Sequence, residues 1–401
     1  MATESSRPRG AFLLTIGFAV LLAGCATIQG RLPVPVTVSA IPEIPGIPEA
    51  RFWGDEVPPY TMRRLEEFDD ADVRFLFRGV VERPHDYLAI SGGGPTGAFG
   101  AGLLKGWTAS GTRPEFTMVT GVSTGALTAP FAFLGPKYDA TLEDVYTTIS
   151  TKDVIRKRNI IAAAMSDALA GTEPLKALIA KYITGEILQG IAEAHRVGRR
   201  LFIGTTNLDV GRPVIWNIGK IATSGQIDAL DVVRKIMLAS ASIPGAFPPV
   251  YFEVEAEDGK VYDEMHVDGG TASQVFIYPA ALNWRKILEK LKVPGLPQVY
   301  VIRNAKLGAA AKPVGPTLVP IATRSIASLI RTQGFGDLYQ IHALTKRDGT
   351  DFNLAYVPSD FEAESKELFD PQYMRALFDR GYEMAKAGYP WKKAPPGFST
   401  E

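Results

Sequence analysis

One unit constrains the fold of this chain more than any other, and it occurs twice. A short apolar run leads without a break into a glycine-rich turn and then into helix-forming residues. Tyr87–Ile90 runs into Ser91-Gly92-Gly93-Gly94-Pro95-Thr96-Gly97, and Thr117–Thr120 runs into Gly121-Val122-Ser123-Thr124-Gly125 and the apolar ALTAPFAFLG. Buried strands that turn at once into helices need crossover connections, which predicts an α/β sandwich. Thr172-Glu173-Pro174 reads as a helix start, with Leu175, Leu178, Ile179, Tyr182 and Ile183 on one face. Leu201–Gly204 and Val214–Trp216 flank a polar turn and predict a hairpin. Val232–Ser240 predicts a helix closed off by Pro244 and Pro248-Pro249. Val261–Val267, Val299–Ile302 and Phe352–Val357 read as strands, and Tyr60–Asp70 and Pro371–Ala387 as helices.

Composition narrows the function classes. Hydrophobic residues make up 46% of the 401, enough for a large core, and 43 basic residues balance 43 acidic ones. No charge excess invites nucleic acid. Four histidines without CxxC or HExxH spacing leave little material for a zinc site of His and Cys ligands, no carboxylate pair has metal-ligand spacing, and no cofactor is expected. A single cysteine forbids an intrachain disulfide.

That cysteine, Cys25, follows Arg7-Pro8-Arg9 and the uncharged run Ala11–Ala23, too short to span a bilayer and arranged as a secretory signal. Leu22-Ala23-Gly24-Cys25 resembles the lipobox of bacterial lipoproteins, which implies a lipidated Cys25, and Ala26 implies outer-membrane sorting with the protein facing the periplasm. The expected organisation is a signal peptide over 1–24, a lipidated cysteine and proline-rich tether over 25–59, and one domain over 60–395. Phe52 and Trp53 are the first residues expected to pack against that domain.

The two turns carry chemistry. Gly121-Val122-Ser123-Thr124-Gly125 matches G-x-S-x-G, in which the glycines clear space for a serine at a sharp strand-to-helix elbow. Gly92-Gly93-Gly94 can converge backbone N–H groups on an oxyanion, and it lacks the Gly-Lys-Thr/Ser ending of a nucleotide loop. A side chain at Gly93 is expected either to occupy the oxyanion position or to twist these N–H groups away from it. Taken alone, Asp268 before Gly269-Gly270 reads most simply as an Asx-type turn, and Asn207 to Arg212 as a hairpin turn.

In their order, Gly92–Gly97, Gly121–Gly125 and Asp268-Gly269-Gly270 resemble the patatin-like phospholipase family, as do Thr206–Asp209 with Gly211–Pro213 and Ala239–Pro244 with Phe247–Pro249. The resemblance runs from about residue 86 to 275. It implies a three-layer α/β/α sandwich with a mainly parallel central sheet, and hydrolysis of phospholipids or related lipid esters by a serine–aspartate dyad. Ser123 is then the nucleophile, Asp268 its base, and the Gly92, Gly93 and Gly94 turn the oxyanion hole. Asn207, Asp209, Pro244, Phe247 and His266 are candidate cleft residues. The family usually has Arg or Lys where this chain has Thr96, a departure that bears on how the loop is held. A competing base, His342, lies in a helix-forming stretch, while His85 and His195 read as surface residues. The alternative from another class is a non-catalytic envelope lipoprotein that uses the cleft for lipid binding.

Overall fold

The computed structural model describes residues 30–38, 40–157, 170–308 and 313–398. The segment expected to be a signal peptide, Cys25 and Ala26 lie outside the described residues. Among the described residues nine strands of three residues or more form one sheet: β1 (Arg51–Trp53), β2 (Asp86–Ile90), β3 (Met118–Val122), β4 (Arg200–Asn207), β5 (Arg212–Asn217), β6 (Val250–Glu255), β7 (Val261–Asp268), β8 (Gln298–Arg303) and β9 (Asp351–Tyr356). The helices of seven residues or more among the described residues are α1 (Pro59–Glu67), α2 (Asp70–Leu76), α3 (Gly97–Ala109), α4 (Thr124–Leu134), α5 (Asp139–Thr147), α6 (Glu173–Tyr182), α7 (Gly185–Arg196), α8 (Ala229–Ser240), α9 (Trp284–Lys290), α10 (Leu318–Asp348) and α11 (Pro371–Lys386).

The sheet is mixed rather than mainly parallel. Strands β9, β8, β2, β3 and β4 run parallel in that spatial order, as crossover connections dictate. Beyond β4 the pairings with β5 and β7, and those of β5 with β1 and β7 with β6, are all antiparallel. Short loops such as the β4–β5 hairpin allow no other direction.

Both faces of the sheet are covered. Along β2, Leu88 and Ile90 belong to one buried cluster with Phe99, Leu103, Ala126 and Leu377, whereas Tyr87 and Ala89 belong to another with Leu288, Leu338, Ile341 and Leu344. Period-two alternation on a strand with no polar face therefore produces two cores, α3, α4 and α11 against one side and α9 and α10 against the other.

The folded body begins before residue 60. Strand β1 pairs with β5, placing Phe52 opposite Ile215, and Leu32 N–H and Arg31 both bond to Asp263. Arg51 is 1% exposed and pairs with Glu264 at 2.5 Å. Much of the stretch expected as a tether is thus part of the domain. Its prolines interrupt helix formation without preventing edge pairing of the residues that follow them.

Candidate active site

Strand β4 organises the site. Its residues 200–204 pair with β3 as far as Gly204 opposite Val122, and its next residue, Thr205, pairs with Asp268 of β7. Asp268 therefore enters the ladder where β3 leaves it, and β3 leaves it at Ser123. Ser123 Oγ donates to Asp268 Oδ2 at 2.6 Å, and both residues are buried.

The elbow at Ser123 has φ +55° and ψ −124°, a backbone conformation that side chains other than glycine seldom adopt. Its neighbours are glycine for a spatial reason: a Cβ on Gly121 would collide with the Gly125 carbonyl, and one on Gly125 with the Ile90 carbonyl. Ser240 holds the turn, accepting from Ser123 N–H at 3.0 Å and donating to the Gly204 carbonyl at 2.7 Å.

Asp268 is held equally firmly. Its Oδ1 accepts the Gly270 N–H at 2.7 Å, its backbone N–H donates to the Ser242 carbonyl at 2.9 Å, and Thr206 Oγ1 donates to its carbonyl at 3.0 Å. Burial pushes its carboxyl up to about 6, against the opposing hydrogen bonds from Ser123 and Gly270. A carboxylate so tuned is a far better proton acceptor near neutrality than an exposed aspartate.

The glycine turn after β2 faces Ser123, since a Cβ on Gly92 would lie 3.1 Å from Ser123 Cβ. Gly92 N–H is already committed to the Gln274 carbonyl at 3.2 Å. Among the described residues no acceptor pairs with the N–H of Gly93 or Gly94. A Cβ on Gly93 would strike the Asn304 carbonyl, so it points into the support of the loop rather than into the space before Ser123.

Thr96 belongs to that support. Its Oγ1 lies 2.7 Å from the Gly93 carbonyl and 2.6 Å from the Asn304 carbonyl, and its single proton serves one of them at a time. Asn304 in turn donates through Nδ2 to the Ser91 carbonyl and accepts Gly100 N–H. Gln274 N–H is fixed by Asp337 at 2.6 Å. Ser240, Gln274, Asn304 and Asp337 escape a reading of motifs. Only Ser240 lies in a recognisable block, and its partner is 117 residues away.

A cavity of about 100 Å³ opens beside Ser123, lined by Gly94, Leu127, Phe131, Tyr146, Ile179 and Phe247 among others. The stripe Leu175, Leu178, Ile179 and Tyr182 of α6 is its wall. Of the candidate cleft residues, Phe247 lines it. Pro244 is exposed and outside the lining, where its neighbour Ile243 stands. Asn207 and Asp209 also lie outside the lining: Asn207 Oδ1 accepts Asp209 N–H in an Asx turn, and Asp209 pairs with Arg31 at 2.8 Å. His266 is fully buried between Glu264 Oε2 at 3.0 Å and Thr205 Oγ1 at 2.9 Å, a structural position rather than a cleft one.

The other histidines sit apart from Ser123. His342 lies in α10 between the rings of Phe352 and Phe398. His85 is 2% exposed and bonds Tyr87 and the Val80 carbonyl, so it is not a surface residue. His195 is half-buried, and burial with Arg200 and Lys220 nearby pushes its imidazole down to about 2. Both line a larger cavity of about 240 Å³ that touches the starts of β2, β3 and β4 and shares no residue with the one beside Ser123. Among the described residues no cluster of His, Cys, Asp and Glu is arranged to hold a metal ion.

Fold and site together define an α/β domain with a serine at a sharp strand-to-helix elbow, hydrogen-bonded to a buried aspartate. Residues 88–281, just under half of the chain, match the profile of the patatin-like phospholipase family. The chain is similar to Patatin group M-1 and Patatin-2-Kuras 4 of Solanum tuberosum, 30% and 31% identical over 96 residues, 23% of this chain and 24% and 25% of those proteins. It thus spans about a quarter of the length of these curated relatives. Among solved structures it is similar to VipD from Legionella pneumophila, with TM-score 0.38 and 12% identity over 76% of this chain and 66% of that one.

Proposed function

We propose that the protein is a serine acyl hydrolase that cleaves fatty-acyl esters of phospholipids or related lipids. The observation that carries this reading is the 2.6 Å hydrogen bond from Ser123 Oγ to a buried Asp268 of raised pKa. Asp268 takes the Ser123 proton as Oγ attacks the ester carbonyl, and the carbonyl oxygen, now an oxyanion, accepts from Gly93 and Gly94 N–H. Collapse expels the alcohol, which leaves with the proton held by Asp268. Water then attacks the acyl-enzyme by the same route and releases the fatty acid. The apolar cavity supports this reading as the place for an acyl chain, with Phe131, Ile179 and Phe247 on its wall. No cofactor or metal takes part.

In the cell the chain is an outer-membrane lipoprotein facing the periplasm, with residues 1–24 removed and Cys25 lipidated. Arg31 already pairs with Asp209 and Asp263, so the folded domain is reached within six residues of Cys25.

A fluorophosphonate probe followed by a panel of phospholipids, lysophospholipids, triglycerides and short esters tests the activity. Labelling lost in Ser123→Ala, with release of fatty acid from at least one lipid by the parent protein, is the expected result. A protein that retains lipid but takes no label and releases no fatty acid is instead the non-catalytic envelope lipoprotein.

A further inference from the structure

Helix α10 has two halves with different surroundings. From Asp337 to Asp348 it lies on the sheet through Leu338, Ile341 and Leu344. Its C-terminus turns through Gly349, at φ +70°, into the start of β9, so the helix runs antiparallel to the parallel strands. Asp337 therefore reaches their C-terminal ends, where it bonds Gln274 beside the Ser123–Asp268 pair. Residues 318–332 continue past that level, roughly 22 Å of helix at 1.5 Å per residue.

This overhang is exposed wherever its side chains are described, and its exposed residues include large apolar ones: Leu318 is 81% exposed, Leu329 70% and Ile326 56%. On a wheel of 3.6 residues per turn, Leu318, Ile321, Ile326, Leu329 and Ile330 fall within one half and Arg324 and Arg331 in the other. From Leu291 to Gly336 the chain contains no Asp or Glu. An exposed helix with an apolar half, no acid, and a second half carrying Arg324 and Arg331, the latter donating to the Leu307 carbonyl at 3.2 Å, suits an anionic interface.

The rest of this end is consistent with such a surface. Leu208 and Val210, in the turn after β4, are exposed, and so is Ile243, which also lines the cavity beside Ser123. Arg31, bonded to Asp209 in the same turn, brings the N-terminal segment to this end as well. Among the described residues no helix is long and apolar enough to cross a membrane, so an interfacial rather than a spanning position suits α10.

We propose that residues 318–332 are an interfacial docking helix that seats the Ser123 end of the molecule on an anionic phospholipid bilayer. Its purpose, delivery of bilayer lipid to Ser123, rests on the hydrolase reading; the docking itself does not.

The full chain with Ser123→Ala and Cys25→Ser has no cysteine and cannot turn over lipid. In that background Leu329→Cys takes a polarity-sensitive fluorophore on the overhang, and Glu193→Cys takes one on the exposed face of α7, at the opposite ends of the strands. Vesicles of equal parts phosphatidylglycerol and phosphatidylethanolamine should shift the Leu329→Cys emission to the blue and leave the Glu193→Cys emission unchanged. Adding Arg324→Gln and Arg331→Gln should raise the lipid needed for half the shift by on the order of tenfold. Thermal melts confirm that each variant is folded. No shift at Leu329→Cys overturns the proposal, and a shift without lipid that grows with protein concentration overturns it in favour of a second copy of this chain. A water-soluble short ester given to the parent protein separates the two readings. A shift without ester hydrolysis sinks the hydrolase, and hydrolysis without a shift sinks only the docking helix.

Discussion

Asp268 answers two demands that pull against each other. A carboxylate buried beside Ser123 is costly when charged, and its pKa of about 6 expresses that cost. As the base proposed for Ser123 it must be ionised, so kcat/KM for a soluble ester should rise with pH through about 6 and level off above it. A pKa raised on folding lends stability below the unfolded value near 3.8 and loses it as pH passes about 6. Asp268→Asn removes the charge while its side-chain oxygen can still accept from Gly270 N–H. It should lower kcat by roughly 10²–10⁴ and yet melt at a higher temperature than the parent at pH 8, with the gap closing at pH 4. Calorimetry at both pH values, beside kcat, checks this. The two exposed donors differ in a similarly testable way. Gly93→Ala drives a methyl into the Asn304 carbonyl and should cost about 10²–10³ in kcat through mis-aimed N–H groups. Gly94, at φ +56°, has open space around its Cβ position, so Gly94→Ala carries only the left-handed strain of about 1–2 kcal/mol and should spare most of the rate. Retention of a non-hydrolysable ether lipid should change little in either.

Helix α3 carries glycine at Gly102 and Gly106, each worth about 1 kcal/mol less than alanine in an isolated helix. They persist because α11 crosses there in near backbone contact. A Cβ on Gly102 would strike the Phe378 carbonyl and one on Gly106 the Tyr382 carbonyl, while Gly381 of α11 makes the reciprocal approach to Phe99. Backbone cannot rotate aside as a side chain can. Overpacking of about 1–3 kcal/mol therefore outweighs the propensity gain, and Gly102→Ala should lower the urea midpoint without changing the slope. A raised midpoint would mean that the two helices are not so closely packed.

The molecule as a whole is closed along one edge by its own N-terminal segment. Arg51 on β1 reaches across β5 and β4 to Glu264 on β7, stacks on the Trp216 ring and also donates to the Pro42 carbonyl. Burial pushes the Glu264 carboxyl up, but Arg51 and His266 together outweigh it and hold the group at about 2. A folded pKa below the unfolded value of 4.5 contributes stability above that value and loses it as pH falls toward 2. Arg51→Met leaves that carboxylate buried without its cation, which should cost about 3–5 kcal/mol at pH 7. The loss should shrink near pH 4, where the stranded carboxyl can take up a proton. Guanidinium unfolding at the two pH values measures the difference. Because β1 is part of the sheet, the same variant should loosen the stretch 31–53 toward proteolysis.

Most of the local order was legible in the sequence. The strand-to-glycine-turn units, the α6 stripe and the β4–β5 hairpin all rest on interactions within a few residues, which periodicity and turn chemistry report. The glycines at 121 and 125 likewise announced a close approach, though not to what. Which residues meet is a matter of tertiary structure. Ser123 and Asp268 are 145 residues apart and converge because β4 exchanges one neighbour for the other at Thr205. Asn304 and Gln274 carry no motif, and the block that holds Ser240 does not name its partner, since a hydrogen bond to a distant backbone group asks only for a polar group of the right reach. Strand β6, with Val250, Phe252 and Val254 buried in alternation, went unread behind Pro248-Pro249, and β1 went unread among prolines. The β1–β5 and β6–β7 pairings and the packing of His266 against Phe252 followed from those unread strands. The chain alone thus determined its elements and its reactive residue types, because these depend on short-range sterics and periodicity. Only the closed sheet decided their partners, their burial and hence the pKa of Asp268, because desolvation is a property of everything packed around a group.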